Sequence, residues 1–387
     1  MSAAGPLVRH RSRRSRILRP GALALFFLPA LIPALIPACP LAAQTTAGTG
    51  AAIEVYRFSD SRAIDVEQLT LITLPFAAHV AATPRLTLAL SGAWARGALQ
   101  RDDGSEATIS GLTDTELRAA YVFGSDAVTF SAIALLPTGR ERLDAAEAEI
   151  AGAVAADVLP FRITNWGTGG GLGASLATAF PLGDFAGGLS AGYVVAREFE
   201  PVANDASFAY RPGNQLHLTA AVDRTLAGSS KASLRVSYLT FNTDRANDQN
   251  LYQSGDRVQA TASLSFAAGP RSTGIVWGGF LHRARGTFVS SSQINPGQNL
   301  FFAGTSGRIP LGRGIVQPGL DLRVVSGGSD SGKGYTASAG ASAEYPLGGA
   351  SAGPALRLRY GSVEPRTGSK SAFFGIDAGL MIRFGNR

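Results

Sequence analysis

Side chains that could act as bases, nucleophiles or metal ligands are few and far apart in this 387-residue chain. Beyond the N-terminal region the histidines are His79, His217 and His282, and their spacing matches no metal-binding motif. The one cysteine, Cys39, lies near the N-terminus, so neither a thiolate metal site nor a disulfide framework is predicted. These residues therefore predict no metal site and no cofactor.

A glycine-rich run at residues 167–173 has the spacing of a nucleotide-binding fingerprint. In nucleotide-binding proteins such a run joins a strand to a helix, and an acidic residue follows on the next strand. Here the run opens a strand, and the pattern contains neither that helix nor that acidic residue. We interpret the glycines as positions where a strand bends within a sheet.

The remaining candidates are charged side chains that alternate with apolar ones, so that they would line the interior of a sheet closed into a barrel. They are Asp114, Glu116, Arg118, His217, Asp223, Arg235, Arg257, Asp321, Arg323, Glu344, Arg357, Arg359, Asp377 and Arg383. Two interpretations stay open. The charges either neutralise one another across strands and only support the wall, or the arginines concentrated in the last strands bias an internal pore toward anions.

The elements that would position these charges are strands. In residues 255–267 every second residue from Val258 to Phe266 is apolar, and the residues between them are polar. The same alternation recurs at residues 86–94, 216–223, 356–360 and 374–384. A period of two in strands of about ten residues is typical of transmembrane β-barrels.

Connections of two kinds alternate along the chain. Tight turns are predicted near residues 82–84, 124–126, 181–184, 227–230, 269–272, 310–313 and 348–349. Longer polar connections lie near residues 101–109, 140–163, 201–212, 243–254, 286–296, 327–333 and 364–370. In outer-membrane barrels tight turns face the periplasm and long loops face outside.

The strand count follows from these hairpins, a closing strand at residues 371–384 and a weaker opening strand at 52–58. The sequence predicts an all-β fold, an antiparallel up-and-down transmembrane barrel of about sixteen strands. Fourteen strands stay an alternative, because the opening strand and the region near Phe301 are weakly patterned. Closure is expected because an open sheet of this size would expose two apolar edges.

One connection differs from the others in composition. Residues 143–158 are rich in alanine, carry Asp144, Glu147, Glu149 and Asp157, and could form a short helix. Two interpretations stay open for this segment: a solvated external loop, or a segment folded into the lumen as a constriction.

The first 43 residues have the order of a secretory signal peptide: arginines at 9–19, an apolar run at 21–38, and small residues before Gln44. We predict cleavage after Ala43, a barrel domain at residues 44–387 and a location in a bacterial outer membrane. Pro29, Pro33 and Pro37 disfavour a retained helical anchor, and Pro37 also disfavours acylation of Cys39. The formal charge of +7 includes the six arginines of this region, so about +1 remains, and nucleic acid is not an expected partner.

Two motifs resemble a known family. Residues 110–117, SGLTDTEL, run into Tyr121-Val122-Phe123, and residues 136–139, LPTG, close the next strand. This combination resembles outer-membrane barrels linked by name to the meta-pathway of phenol degradation, among the hydrophobic-compound transporters. The resemblance covers only part of the chain. It implies passage of small apolar or aromatic compounds and assigns no binding residue.

The expected function is a passive pore or facilitator for small molecules. One alternative is a structural or adhesion barrel closed by its own side chains. Another is a surface enzyme, which would need a serine and a histidine on the lipid side of the wall. His217 instead lies among the polar residues that are expected to face the lumen. The expected partners are outer-membrane lipid, lipopolysaccharide, the barrel-assembly machinery and the permeant. Barrels often end in an aromatic residue recognised by the assembly machinery, whereas here Gly385-Asn386-Arg387 follow Phe384, so we expect a weaker assembly signal.

Overall fold

The computed structural model describes residues 45–385 except 125–126, 206, 227–229, 292–293, 328–331 and 365–369. The predicted signal peptide, residues 1–43, lies outside the described residues. Among the described residues no helix is both long and apolar enough to cross a bilayer.

Strands dominate the described chain, and two short helices accompany them. In chain order the elements are β1 (Thr45–Phe58), α1 (Ser61–Ile64), β2 (Gln68–Ala81), β3 (Leu86–Gln100), β4 (Glu106–Leu112), β5 (Thr115–Phe123), β6 (Val128–Leu136), α2 (Ala145–Val154), β7 (Gly171–Leu182), β8 (Phe185–Ala196), β9 (Tyr210–Arg211), β10 (Gln215–Thr225), β11 (Lys231–Phe241), β12 (Asp244–Ala246), β13 (Gln249–Gln253), β14 (Arg257–Ala267), β15 (Thr273–Arg283), β16 (Gly286–Phe288), β17 (Ile294–Asn295), β18 (Gln298–Leu311), β19 (Gly314–Gly327), β20 (Lys333–Leu347), β21 (Ala350–Glu364) and β22 (Ser371–Gly385).

The large sheet closes on itself, because β1 pairs antiparallel with both β2 and β22. The segments β4 and β5 both pair with β3 and are separated only by Thr113 and Asp114, so they form one interrupted wall strand. The wall therefore has 16 strands. The prediction of a sixteen-stranded barrel is confirmed, and the alternative of fourteen is wrong.

Two strands are longer than their patterns predict. The opening strand, expected at residues 52–58, begins at Thr45, because its small N-terminal residues are fixed by backbone pairing to β2 and β22 rather than by side-chain alternation. Likewise β18 extends through the weakly patterned region around Phe301 as a full wall strand.

The apolar parity of the strands forms the outer face of the wall. Its exposed members include Leu176, Leu189, Leu218, Leu234, Leu264, Leu320 and Leu356. An exposed apolar belt around a closed barrel is stable only against lipid, so the wall spans a membrane. The opposite face, which we call the inner face, carries the predicted charged residues.

A second, five-stranded sheet lies at the long-connection end of the barrel and consists of β9, β12, β13, β16 and β17. Its strands come from three different connections and pair through Tyr210↔Ala246, Tyr252↔Phe288 and Gly286↔Asn295. The Asp244 carboxylate joins two connections, since it accepts hydrogen bonds from Tyr210 Oη and Gly213 N, both at 2.7 Å.

Candidate functional site

The connection between β6 and β7 folds against the inner face of the barrel; we call residues 139–170 the inward segment. Ile150, Val158 and Trp166 of this segment are almost completely buried, at 0%, 0% and 1% exposure. They share one apolar cluster with wall residues such as Leu69 and Ile109. The interpretation that residues 143–158 fold into the lumen is therefore correct, and that of a solvated external loop is wrong; that the segment narrows a pore stays a prediction.

Helix α2 carries one side of this contact. A capping box starts it, in which Glu147 N donates to Asp144 Oδ1 at 2.9 Å and Asp144 N donates to Glu147 Oε2 at 3.1 Å. Its buried residues are Glu147, Ile150 and Val154. Gly97 of β3 makes the close approach possible, because a Cβ there would lie 2.8 Å from Ile150 Cγ2 and 3.0 Å from the Trp166 ring.

The segment is fixed at its root by the residues of the resemblance motifs. The Asp114 carboxylate accepts from Gly139 N at 3.1 Å and from both N and Oγ1 of Thr168 at 2.7 Å. Thr138 Oγ1 donates to the Thr113 carbonyl at 2.9 Å. The prediction that Asp114 lines the lumen is thus corrected: the wall strand is interrupted at this residue, so strict alternation does not apply, and its carboxylate holds both ends of the segment together.

The far end of the segment meets a charge cluster in which Glu54, Arg359 and Asp377 are buried and Arg162 is exposed. Arg359 donates to Glu54 Oε1 and to Asp377 Oδ2, both at 3.0 Å, and also to Tyr56 Oη. Arg162, from the segment, donates through its backbone N to Glu54 Oε2 at 3.0 Å and through its guanidinium to Asp377 Oδ1 at 2.8 Å. Glu54 is 0% exposed and Arg359 is 4% exposed, so the pairing is what makes burial of these charges tolerable.

Further contacts extend the segment across the barrel. Asp157 pairs with Arg283 of β15 at 3.2 Å, and the Val158 carbonyl accepts from Thr336 Oγ1 of β20. The Phe161 ring packs edge-on against Tyr56 at 4.8 Å. We call the inner face of β1–β4 and β18–β22 the covered half, and that of β5–β8, β10, β11 and β14 the uncovered half.

The pairing register places every predicted charged residue except Asp114 on the inner face. Glu116, Arg118, His217, Asp223, Arg235 and Arg257 lie in the uncovered half; Asp321, Arg323, Glu344, Arg357, Arg359, Asp377 and Arg383 lie on strands of the covered half. That these side chains contact a permeant stays a prediction.

Several of these charges are paired. Arg118 lies 3.0 Å from Glu116, Asp223 lies 2.8 Å from Lys231, and Arg357 lies 3.2 Å from Asp321. Mutual neutralisation therefore describes Arg357 and Arg359. Among the described residues Arg235, Arg257 and Arg323 form no ion pair, and they leave the inner face with unbalanced positive charge. The Arg257 guanidinium lies 5.0 Å from the centroid of the Phe241 ring.

Sequence reasoning missed the residues that cover the inner face. In β2 apolar residues face both ways, with Leu69 and Leu71 on the inner face and Ile72 and Leu74 on the outer face. An inner face so rich in leucine is not stable against water, so this run indicates that another part of the chain covers it. Glu54 was missed because it lies in the weakly patterned opening strand.

A cavity of about 570 Å³ lies between the inward segment and the inner face of the last strands. Its lining includes Pro160 and Arg162 of the segment, Trp277 and Phe302 of the wall, and Arg323 and Arg357. Within the described part of the chain no group of three acidic, histidine or cysteine residues is placed to hold a metal ion.

Comparison with known proteins gives structural neighbours only. No known family and no curated protein matches the sequence. Among solved structures, OprB of Pseudomonas putida is 10% identical, with 89% of this chain and 94% of that chain covered and a TM-score of 0.48. The anion-selective porin of Comamonas acidovorans is 11% identical, with 89% and 99% covered and a TM-score of 0.39. A loop-deletion mutant of OmpT, an outer membrane protein of Vibrio cholerae, is 11% identical, with 88% and 100% covered and a TM-score of 0.40. At these values the likeness is one of barrel architecture and does not bear on the permeant.

Proposed function

We propose that the protein is a pore of the bacterial outer membrane through which small molecules pass without energy coupling. The observation that carries this proposal is the one-sided placement of the inward segment. It packs against the covered half, whereas Arg118, His217 and Arg235 on the uncovered half are exposed on the inner face. Exposed charges inside a closed barrel indicate water, and a wet path beside a packed segment is a narrowed pore.

Single-channel conductance in planar bilayers tests the proposal. The mature barrel should give stable conductance steps in KCl. A variant with a short Gly-Ser linker in place of residues 145–157 should give larger steps, because the packed segment no longer narrows the lumen. A matched control replaces Asn247 and Asp248, the two-residue turn of the second sheet, with Gly-Gly, which accepts their positive φ angles and should leave the step size unchanged. A folded barrel that conducts neither with nor without the segment would overturn the proposal.

The same experiment separates the alternatives. A structural or adhesion barrel closed by its own side chains gives no conductance. A surface enzyme would hydrolyse lipid, and its histidine would have to face lipid. His282 does lie on the outer face, where its Nδ1 is 2.8 Å from Asn299 Oδ1 and its ring stacks on Phe280. These contacts supply no nucleophile, and the pore is therefore the function we favour.

The resemblance motifs suggest small apolar or aromatic permeants, and one observation supports an aromatic component. Trp277 and Phe302 lie on the inner face and line the cavity beside the inward segment. Liposome-swelling rates with uncharged aromatic compounds test this finer proposal, because they measure passage through the barrel and not block of ion current. Outer-membrane lipid, lipopolysaccharide and the barrel-assembly machinery are the partners proposed for the outer face and for insertion, and cleavage after Ala43 is the processing we propose.

A further inference from the structure

The cavity beside the inward segment combines two features that the pore itself does not require: aromatic rings laid against the wall, and arginines next to them. We propose that this cavity is a binding site for small aromatic carboxylates. The inference rests on the proposed function, because the ligand would reach the cavity through the lumen. Its volume of about 570 Å³ falls in the roughly 300–1,000 Å³ range of small-molecule sites.

Two glycines leave room for the aromatic rings of the site. Trp277 of β15 pairs with Gly304 of β18, and Phe302 pairs with Gly279. A Cβ on Gly304 would lie 2.3 Å from Trp277 Cζ2, and one on Gly279 would lie 2.4 Å from Phe302 Cζ. Each ring therefore lies against the backbone of its glycine partner. Both rings also line the cavity, where an aromatic ligand can pack against them.

The anion-binding part lies on the next strands. Arg323 is the register partner of Phe302 and lines the same cavity, and among the described residues it has no carboxylate partner. Arg357 pairs with Asp321, but its side chain is still 44% exposed. A planar guanidinium binds a carboxylate through two parallel hydrogen bonds, and it does so more strongly where water is partly excluded.

The charge balance of the lining distinguishes the ligand class. It contains Arg162, Arg323, Arg357 and Arg359, but only Asp321 and Asp377 as acids, with Glu54 behind them. The carboxylates of Asp377 and Asp321 are already engaged by arginines, so among the charged groups of the lining only guanidinium donors remain for a ligand, beside the polar side chains of Ser306, Gln317 and Ser342. A neutral sugar or a hydrocarbon would leave the Arg323 guanidinium without an anionic partner. An aromatic acid satisfies both the rings and the arginines.

Block of ion current by benzoate tests the site, with benzyl alcohol as the uncharged ring and acetate as the ringless anion. Benzoate should reduce the open-channel current in a saturable manner at concentrations at which neither control compound does. Arg323→Gln should weaken the block about tenfold, the loss expected for one charge-assisted contact. Arg323→Lys should retain part of it. Trp277→Ala should weaken it by a similar factor, and Trp277→Phe should retain most of it.

Arg85→Gln is the matched control, because Arg85 is an exposed arginine next to β3, a strand that contributes no residue to the lining of the cavity. Equal block by acetate or by benzyl alcohol would overturn the proposal, as would block that survives both Arg323→Gln and Trp277→Ala. A channel that conducts KCl but is not blocked by benzoate overturns this site and leaves the pore standing. If the folded barrel does not conduct, the proposed pore function is wrong. The site is then tested separately by fluorescence: benzoate should quench the emission of Trp277, and this quenching should be absent in Trp277→Phe.

Discussion

The covered and uncovered halves of the inner face share strand geometry and register but carry different side chains. In the covered half Leu69, Leu71 and Leu99 are buried under the inward segment. In the uncovered half the matching positions hold small and polar residues such as Ser175 and Thr219, which are only partly buried. The difference is that one half of the wall supports a packed insert, whereas the other half presents small and polar side chains to the lumen.

The largest expected difference between the halves concerns their arginines. Arg359→Met leaves Glu54 and Asp377 buried with one partner fewer, which should cost about 3–5 kcal/mol of the free energy of unfolding. Arg235→Met, on the exposed inner surface of the uncovered half, should change it by no more than about 0.5 kcal/mol. Urea titrations of both variants refolded into lipid vesicles measure these values. Equal costs would mean that the two halves do not differ in burial.

The wet inner face of the uncovered half can be compared with its own outer face. Ala262 and Thr261 are neighbours near the middle of β14 and point to opposite sides. Ala262→Arg puts a charge into lipid and should cost roughly 2–4 kcal/mol, so that less barrel assembles in vesicles. Thr261→Arg should assemble far better, since the new charge faces the lumen and meets only the like charge of its register partner Arg235, a cross-strand effect of below about 1 kcal/mol. Heat-modifiable mobility in SDS gels gives the folded fraction, and equal assembly of the two variants would contradict our assignment of the faces.

Two glycines compare the packing of the halves directly. Gly97→Ala places a methyl group 2.8 Å from Ile150 Cγ2, an overpacking that should cost about 1–3 kcal/mol and loosen the inward segment. Gly188→Ala, on the inner face of the uncovered half, meets nothing closer than the Thr178 carbonyl at 3.6 Å and should be neutral. Besides the unfolding free energy, conductance noise should rise only for Gly97→Ala. The same noise in both variants would argue against a segment packed on one side.

This contrast also marks what could be predicted from the sequence. The barrel and its strand number followed from alternation and from the two kinds of connection, because both are local patterns. The inward fold of residues 143–158 could not be decided, since its determinants are distant: Asp114 at the root, and Glu54 and Asp377 at the far end. Parity placed Arg359 on the inner face, but no local pattern reveals that Glu54 neutralises it.

The smallest expected effect concerns the electrostatic potential inside the pore, which sets its ion selectivity. On the uncovered half Arg118 and Lys231 are paired with carboxylates, whereas Arg235 and Arg257 are not, so the wet side carries the unbalanced positive charge. Arg235→Gln should therefore shift the reversal potential in a KCl gradient toward cations, modestly, because one exposed charge is screened within about 8–10 Å at physiological salt. Arg85→Gln, at the tight-turn rim, is the control and should shift it less. If neutralising Arg357, which is paired with Asp321, shifted the reversal potential more than Arg235→Gln does, the ion selectivity of the pore would depend on the covered half. That result would contradict our comparison of the two halves.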